Sequence, residues 1–271
     1  MNDTINFQEL FEGFQNTPLL WNGSDIYGFE QFCPKYTSEQ FDQNSEYKKL
    51  RLGKWVENFV SFQLQNQDDV AIIEENLIIK KEKRTIGELD ILLVRKDQPI
   101  HIEVVYKFYL YDKRNLYDNP LACWIGPNRN DALVYKLNKL KEKQFPLLYH
   151  SNTIEVLKKH KFDVNTIKQQ VCFNAQLYLP YQNKDIDVSP LNKDCVVGWY
   201  LNIKQINELE NFQFYIPKKL EWLCIPKENV DWLSFVQAKN EIRTNIANGQ
   251  SPLCWLKNEY NEFQKCFITW W

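Results

Sequence analysis

Apolar positions along the chain change period several times, and the changes mark out its elements. Leu52, Trp55, Val56, Phe59, Val60 and Phe62 recur at helical spacing, interrupted by Lys54, Glu57 and Asn58, which predicts a helix within Glu46–Gln65. Three runs of strand character follow: Val70–Lys81, Thr85–Arg95 and Ile100–Tyr111. In the second, Leu89, Ile91 and Leu93 alternate with Glu88, Asp90 and Leu92, and a polar turn at Lys96-Asp97-Gln98-Pro99 leads into the third. Asp112–Gly126 reads as a loop. Helical period returns over Asn130–Lys143, with Leu133, Leu137 and Leu140 as the apolar stripe and Lys136, Lys139 and Lys143 on another face. Asn128 or Asn130 is a candidate N-cap.

A second helix is expected over Thr153–Lys161 and a strand over Val171–Pro180. Beyond Tyr181 the apolar runs at Cys195–Ile203, Phe212–Ile216 and Lys265–Trp270 are strand-like. The opening is rich in Asn, Gln and aromatics, broken by Pro18 and Pro34; it predicts a short helix near Phe7–Phe14 and then irregular chain wrapping onto the core. The whole predicts an α/β (α+β) fold with a mixed central sheet. Residues 1–44 form a wrapping segment, 45–180 the core, and 181–271 a β-rich C-terminal extension of the same domain.

With 44% hydrophobic and 25% charged residues in 271, wholesale disorder is excluded. Thirty-three Lys+Arg against 35 Asp+Glu leave a net charge of −2, so a nucleic-acid site must be a local patch. The seven cysteines make no CxxC pair, which argues against a zinc site or a disulfide framework. No apolar window is long enough to span a bilayer, and the first residues lack the basic head and apolar run of a signal peptide. A cytoplasmic protein with reduced thiols is expected.

Chemistry concentrates in Gly87-Glu88-Leu89-Asp90 and Glu103-Val104-Val105-Tyr106-Lys107. Strand side chains alternate faces, so Glu103, Val105 and Lys107 share one. A two-residue turn at Asp97-Gln98 would pair Lys96 with Pro99, Asp90 with Val105 and Glu88 with Lys107. Asp90 and Glu103 would then be diagonal neighbours, with Cα atoms roughly 7–8 Å apart, within reach of one cation. Carboxylates suit Mg²⁺ or Mn²⁺, and a partial protein ligand set suits phosphate chemistry. Lys107 would orient water or offset developing charge, and Glu57 would complete the site. Gly53, one turn before Glu57, would permit close helix–sheet approach.

The order of helix, three strands, helix and strand resembles the αβββαβ core of the PD-(D/E)XK, restriction-endonuclease-like superfamily. The strings Arg51-Leu52-Gly53-Lys54, Gly87-Glu88-Leu89-Asp90, Glu103 through Leu110, and Gly126-Pro127-Asn128-Arg129-Asn130-Asp131 resemble the bacterial family called domain of unknown function 1853. The resemblance covers about residues 45–180 and extends toward the C-terminus. It implies Asp90 and Glu103 as the first and second metal-ligand positions of a nuclease. The superfamily pattern places lysine two residues after the second acid; this chain has Val105 there, with Lys107 one same-face step further.

Plainer readings stand beside these. Exposed acids are commonplace, Glu103 can simply pair with lysine, and Glu57 can be a surface residue. Yet Glu103 lies among Ile100, Ile102, Val104, Val105 and Phe108, which predicts cover on both strand faces and a cost for an unpaired charge. Gly126–Asp131 can be an ordinary helix start, or can hold a phosphate with Arg129. Lys136, Lys139, Lys141 and Lys143 can be a solvated face or a track for a nucleic-acid backbone. Trp124, Trp270 and Trp271 suit packing better than base stacking, and His101, His150 and His160 have no metal-ligand spacing. The expected function is a Mg²⁺- or Mn²⁺-dependent phosphodiesterase acting on DNA or RNA. The alternative is a nucleic-acid-binding or protein-interaction module that keeps the fold without the catalysis. A glycosidase using Asp90 and Glu103 has no support elsewhere in the chain.

Overall fold

Two adjacent residues with positive φ, Lys96 (50°) and Asp97 (64°), reverse the chain between the second and third strands of an antiparallel meander. In the computed structural model, which describes residues 6–41, 50–112, 114, 118–183, 185–227 and 230–271, the meander comprises β1 (Val70–Lys81), β2 (Arg84–Arg95) and β3 (Gln98–Tyr111). The turn is Lys96-Asp97 rather than Asp97-Gln98, so Arg95 pairs with Gln98 and Val94 with Pro99. Paired positive φ values are what the tight hairpin turn matching strand twist requires. The expected pairings therefore move by two positions, which preserves the face of every side chain. That register, continued one residue past the last pair, Ile91 with Ile102, sets Asp90 against Glu103 rather than Val105.

β3 is central. β5 (Lys168–Pro180) pairs with it in parallel from Ile100 to Leu110, followed by β6 (Val196–Asn202), β9 (Phe263–Thr269), β8 (Leu253–Lys257) and β7 (Gln213–Tyr215). The strands after Tyr181 thus continue one mixed sheet. A short β4 (Trp124–Ile125) pairs with the end of β3, inside the stretch expected to be loop.

Helix α1 (Phe7–Gln15) and helix α2 (Leu52–Gln65) cover one face. Residues 46–49 of the helix expected within Glu46–Gln65 lie outside the described residues. The α2 stripe Trp55, Val56, Phe59 and Val60 is buried against Ile91, Leu93, Ile100, Ile102 and Val104; a buried aliphatic or Phe side chain contributes roughly 1.5–3 kcal/mol. On the other face, α3 (Leu133–Lys139) runs through a π-helical turn (Leu140–Gln144) into α4 (Phe145–Leu147), followed by α5 (Ser151–Lys159). Leu133, Leu137 and Leu140 meet Val105 and Tyr109 there. β3 is consequently buried on both sides, as its apolar run predicts. The wrapping segment docks along β5: Leu20 N–H donates to Phe173 O (2.8 Å) and Phe32 N–H to Val171 O (2.9 Å).

Helix α6 (Phe235–Ala247) and β8 are additional to the sequence reading. α6 buries only Ala238 and Ile242, so its apolar period is faint, although Ser234 and Gln237 form a capping box. No helix among the described residues is long and apolar enough to cross a membrane. The join between the halves of the sheet depends on a missing side chain: a Cβ at Gly198 would stand 2.2 Å from the Lys265 carbonyl oxygen. Gly198→Ala is expected to cost about 1–3 kcal/mol and lower the melting temperature by several degrees; an unchanged thermal melt would contradict this reading of the β6–β9 contact.

Candidate functional site

β2 and β3 part company after Ile91 pairs with Ile102. At the parting, the Asp90 carboxylate takes the place of a ladder partner, its Oδ2 accepting a hydrogen bond from Val104 N–H at 2.8 Å. Glu57 reaches the same place from α2. One carboxylate oxygen from each of Glu57, Glu88 and Asp90 can be chosen so that all lie within 4.8 Å of one another. Glu103, fully buried on β3, brings its carboxyl into hydrogen-bonding range of Asp90. The structure thus gathers Asp90, Glu103 and Glu57, the three acids singled out from the sequence, and adds Glu88.

Burial, reinforced by the Glu103 charge, pushes Asp90 up to about 7. Burial likewise raises Glu103 to about 7, against the opposing pull of Lys136 and Lys139. Two carboxyls in contact cannot both ionise cheaply, so they hold a proton between them or require a cation. Neither has a direct Lys or Arg ion pair among the described residues. Burial also raises Glu57, with the bond to Lys54 opposing it.

Two neutral groups hold Glu103 in place. Gln169 Nε2 donates to Phe145 O (2.9 Å) and to His101 Nδ1 (3.1 Å), which leaves the proton of the imidazole on Nε2, 3.2 Å from Glu103 Oε1. Burial lowers His101 to about 4, so it stays neutral at physiological pH. Gln144, turned inward by the π-helical turn, donates to Glu103 Oε2 and accepts from Lys136 Nζ at 2.7 Å.

The lysines fall differently from expectation. Lys107 is bonded to Asp131 at 2.5 Å and pairs with neither Glu88 nor the central acids. Lys136 is half-buried beside Glu103 and Asp90, and burial lowers it to about 8 despite the attraction of Glu103. Lys139 and Lys143 are exposed, as a solvated face requires. Lys54 lies at the opposite rim, bonded to Asn76, to Glu57 (2.7 Å) and more loosely to Glu88 (3.4 Å). Its neighbouring carboxylates raise its affinity for a proton although burial alone would lower it.

Arg129 is not free to hold a phosphate. Its guanidinium donates to the buried carboxylate of Asp112 at 2.8 Å and lies 4.8 Å above the Trp271 ring, which Arg114 also covers at 4.5 Å. Asn128 accepts from Ser251 N–H (2.7 Å), and α3 begins after Ala132 without a side-chain cap, so neither proposed asparagine caps it. Trp124 and Trp271 are buried, in line with packing. Gly53 faces open space; the close approach is at Gly87, where a Cβ would meet Leu147 at 2.5 Å.

A cleft of about 710 Å³ opens beside the acids, lined by Glu57, Lys107, Asp131, Lys136 and the 104–108 stretch of β3. A second cavity of about 450 Å³, lined by Glu57, Glu75, Asn76 and Asp90, lies next to it, and Glu57 borders both. Lys136, expected on a face apart from Leu133, Leu137 and Leu140, is instead half-buried at the border of that stripe, and Gln144 continues the stripe at helical spacing, so the sequence carries a signal for Gln144. His101 on the chain had none, because its partner Gln169 comes from β5.

Fold and site together define a mixed α+β protein with a buried acidic centre at the parting of two sheet strands. The chain belongs to the family described as Domain of unknown function (DUF1853), which matches residues 35–268. No curated protein and no solved structure matches it.

The carboxyl pair makes stability depend on pH. Below about pH 4 folded and unfolded chains both hold these protons; between there and about 7 the unfolded chain releases them first, so rising pH favours unfolding. Asp90→Asn, which keeps an acceptor for Val104 N–H, is expected to gain stability over the wild type at pH 8 but not at pH 4.5. Denaturant unfolding at both values checks this, and an equal effect at the two would contradict it.

Proposed function

We propose that this protein is a divalent-metal-dependent phosphodiesterase acting on nucleic acid, built on a restriction-endonuclease-like core. The observation that carries the reading is the buried Asp90–Glu103 pair, raised toward neutrality without an ion-pair partner and set beside a cleft that Lys136 enters. The element order α2–β1–β2–β3–α3–β5 supports the core assignment, since it follows the helix, three strands, helix, strand arrangement of that superfamily.

The donor set fits Mg²⁺ or Mn²⁺, which favour hard carboxylate oxygens in small numbers. Glu57, Glu88 and Asp90, each with a carboxylate oxygen within 4.8 Å of the others, would hold the ion, with Glu103 joining them through its contact with Asp90; a bound ion would polarise a phosphoryl oxygen. Gln144 and His101 fix the Glu103 carboxylate in one orientation. Lys136, rather than Lys107, is the ammonium placed to offset charge developing on the phosphate. A neutral fraction of Lys136 near pH 8 would also let it accept a proton from the attacking water.

One observation favours the second reading, a module that keeps the fold without cleavage. The Lys54 ammonium already bonds Glu57 and, more loosely, Glu88, so part of the cluster's charge is offset from within the chain.

Metal binding separates the two. Mg²⁺ or Mn²⁺ is expected to raise the melting temperature of the wild type but not of Asp90→Ala/Glu103→Ala. Absence of any shift, with both proteins folded, defeats the metal site and leaves the module. Cleavage of single-stranded, duplex or branched DNA or RNA should be abolished by EDTA and by Glu103→Gln. Lys136→Met should lower it on the order of 10²-fold while Lys107→Met leaves it largely intact; the reverse ranking would return the role to Lys107.

A further inference from the structure

We infer that the cleft beside the acidic centre takes an unpaired nucleotide, so that the preferred partner is single-stranded rather than duplex nucleic acid. This deepens the phosphodiesterase reading and rests on it for the identity of the ligand.

The first ground is an open strand edge. β5 pairs with β3 from Ile100 to Leu110 on one side. On the other, β2 pairs only as far as Ile102 and the pairing with β4 starts at Leu110. No strand fills the interval among the described residues. Val104 N–H points into it, toward Asp90. Alternation along a strand sends the peptide groups of Tyr106 and Phe108 the same way, into the cleft. Paired donors and acceptors at fixed spacing suit the edge of a planar base, and they are accessible only to a base that has no partner strand.

The second ground is the wall facing that edge. Phe108 and Trp222 meet edge-to-face at 5.2 Å between ring centroids, with Leu220 beside them. Phe108 is buried, so the half-buried Trp222 is the ring a base can reach, and stacking on an aromatic ring is how single strands are held without sequence readout. The third ground is charge. Arg51 and Lys219 are exposed on the cleft rim, Lys219 5.7 Å from the Trp222 ring, and Lys136 stands deeper by the acids. Cations at the rim and an apolar floor match a nucleotide with its phosphates outward. A duplex presents phosphates to a surface and hides the faces of its bases, so it would leave the floor unused. The volume, about 710 Å³, lies within the roughly 300–1,000 Å³ of sites that enclose small ligands.

The test uses the full chain in EDTA, where no cleavage complicates binding. Fluorescein-labelled oligo-dT, oligo-U and a duplex of mixed sequence are titrated by anisotropy at fixed salt. At least one single strand should bind about tenfold more tightly than the duplex, and Arg51→Glu/Lys219→Glu, checked for an unchanged melt, should weaken it by about tenfold. Whichever of dT and U binds better identifies the sugar. A 5-iodouracil-substituted strand should photocrosslink to Trp222, read by mass spectrometry. Equal or tighter duplex binding, indifference to the charge reversals, or adducts confined to other surfaces would overturn the inference, as would no binding at all. Because the metal-induced melting shift is measured without nucleic acid, a failure here is distinguishable from a failure of the metal site.

Discussion

The parting of β2 from β3 after the Ile91–Ile102 pair governs the chemistry of this protein. An unpaired N–H inside a sheet is costly, and here the Asp90 carboxylate accepts from Val104 instead of a neighbouring carbonyl. That substitution commits a charge-bearing group to the interior. It also leaves a gap through which Glu57 on the α2 side approaches acids borne by strands whose other neighbours lie on the α3 side. Cleft, acidic cluster and open strand edge are three consequences of one divergence.

Electrostatics then sorts the charged residues into separate assemblies. Lys54 at one rim and Lys136 at the other flank the acids, yet neither forms a direct ion pair with Asp90 or Glu103. The pair is instead held by uncharged donors, Gln144 and neutral His101, which orient without discharging. Away from the site, Asp112 binds Arg114 and Arg129 and is lowered to about 2; these bonds outweigh the effect of its burial. The two guanidiniums hold Trp271, whose Nε1 donates to Pro127 O (2.8 Å). Trp271 thereby braces the turn from which Asp131 reaches Lys107. A string rich in Asn, Arg and Asp that looks like an anion site is, in the folded protein, a structural joint.

Much of the architecture was legible beforehand where the period was strong. α2, the meander, β5 and the burial of Glu103 follow from apolar spacing, since a strand apolar on both faces has to be covered on both. The faint stripe of α6 and the short, nearly unbroken apolar run of β8 carry no comparable period. The turn falls one residue earlier than expected because Lys96, Asp97 and Gln98 can each adopt positive φ and the sequence does not choose two of them; the shift changes the partners of Asp90 but not its face.

Side-chain type and facing are local properties, so the chain by itself identified Asp90, Glu103 and Glu57 as acids able to meet. Which cation lies nearest, which arginine is already engaged, and which neutral groups clamp Glu103 depend on contacts between elements far apart in sequence, such as His101 with Gln169 and Arg129 with Trp271. Lys107 and Lys136 are equally plausible on a strand and a helix considered alone. Only the packing of α3 across β3 directs one to Asp131 and the other toward the buried acids.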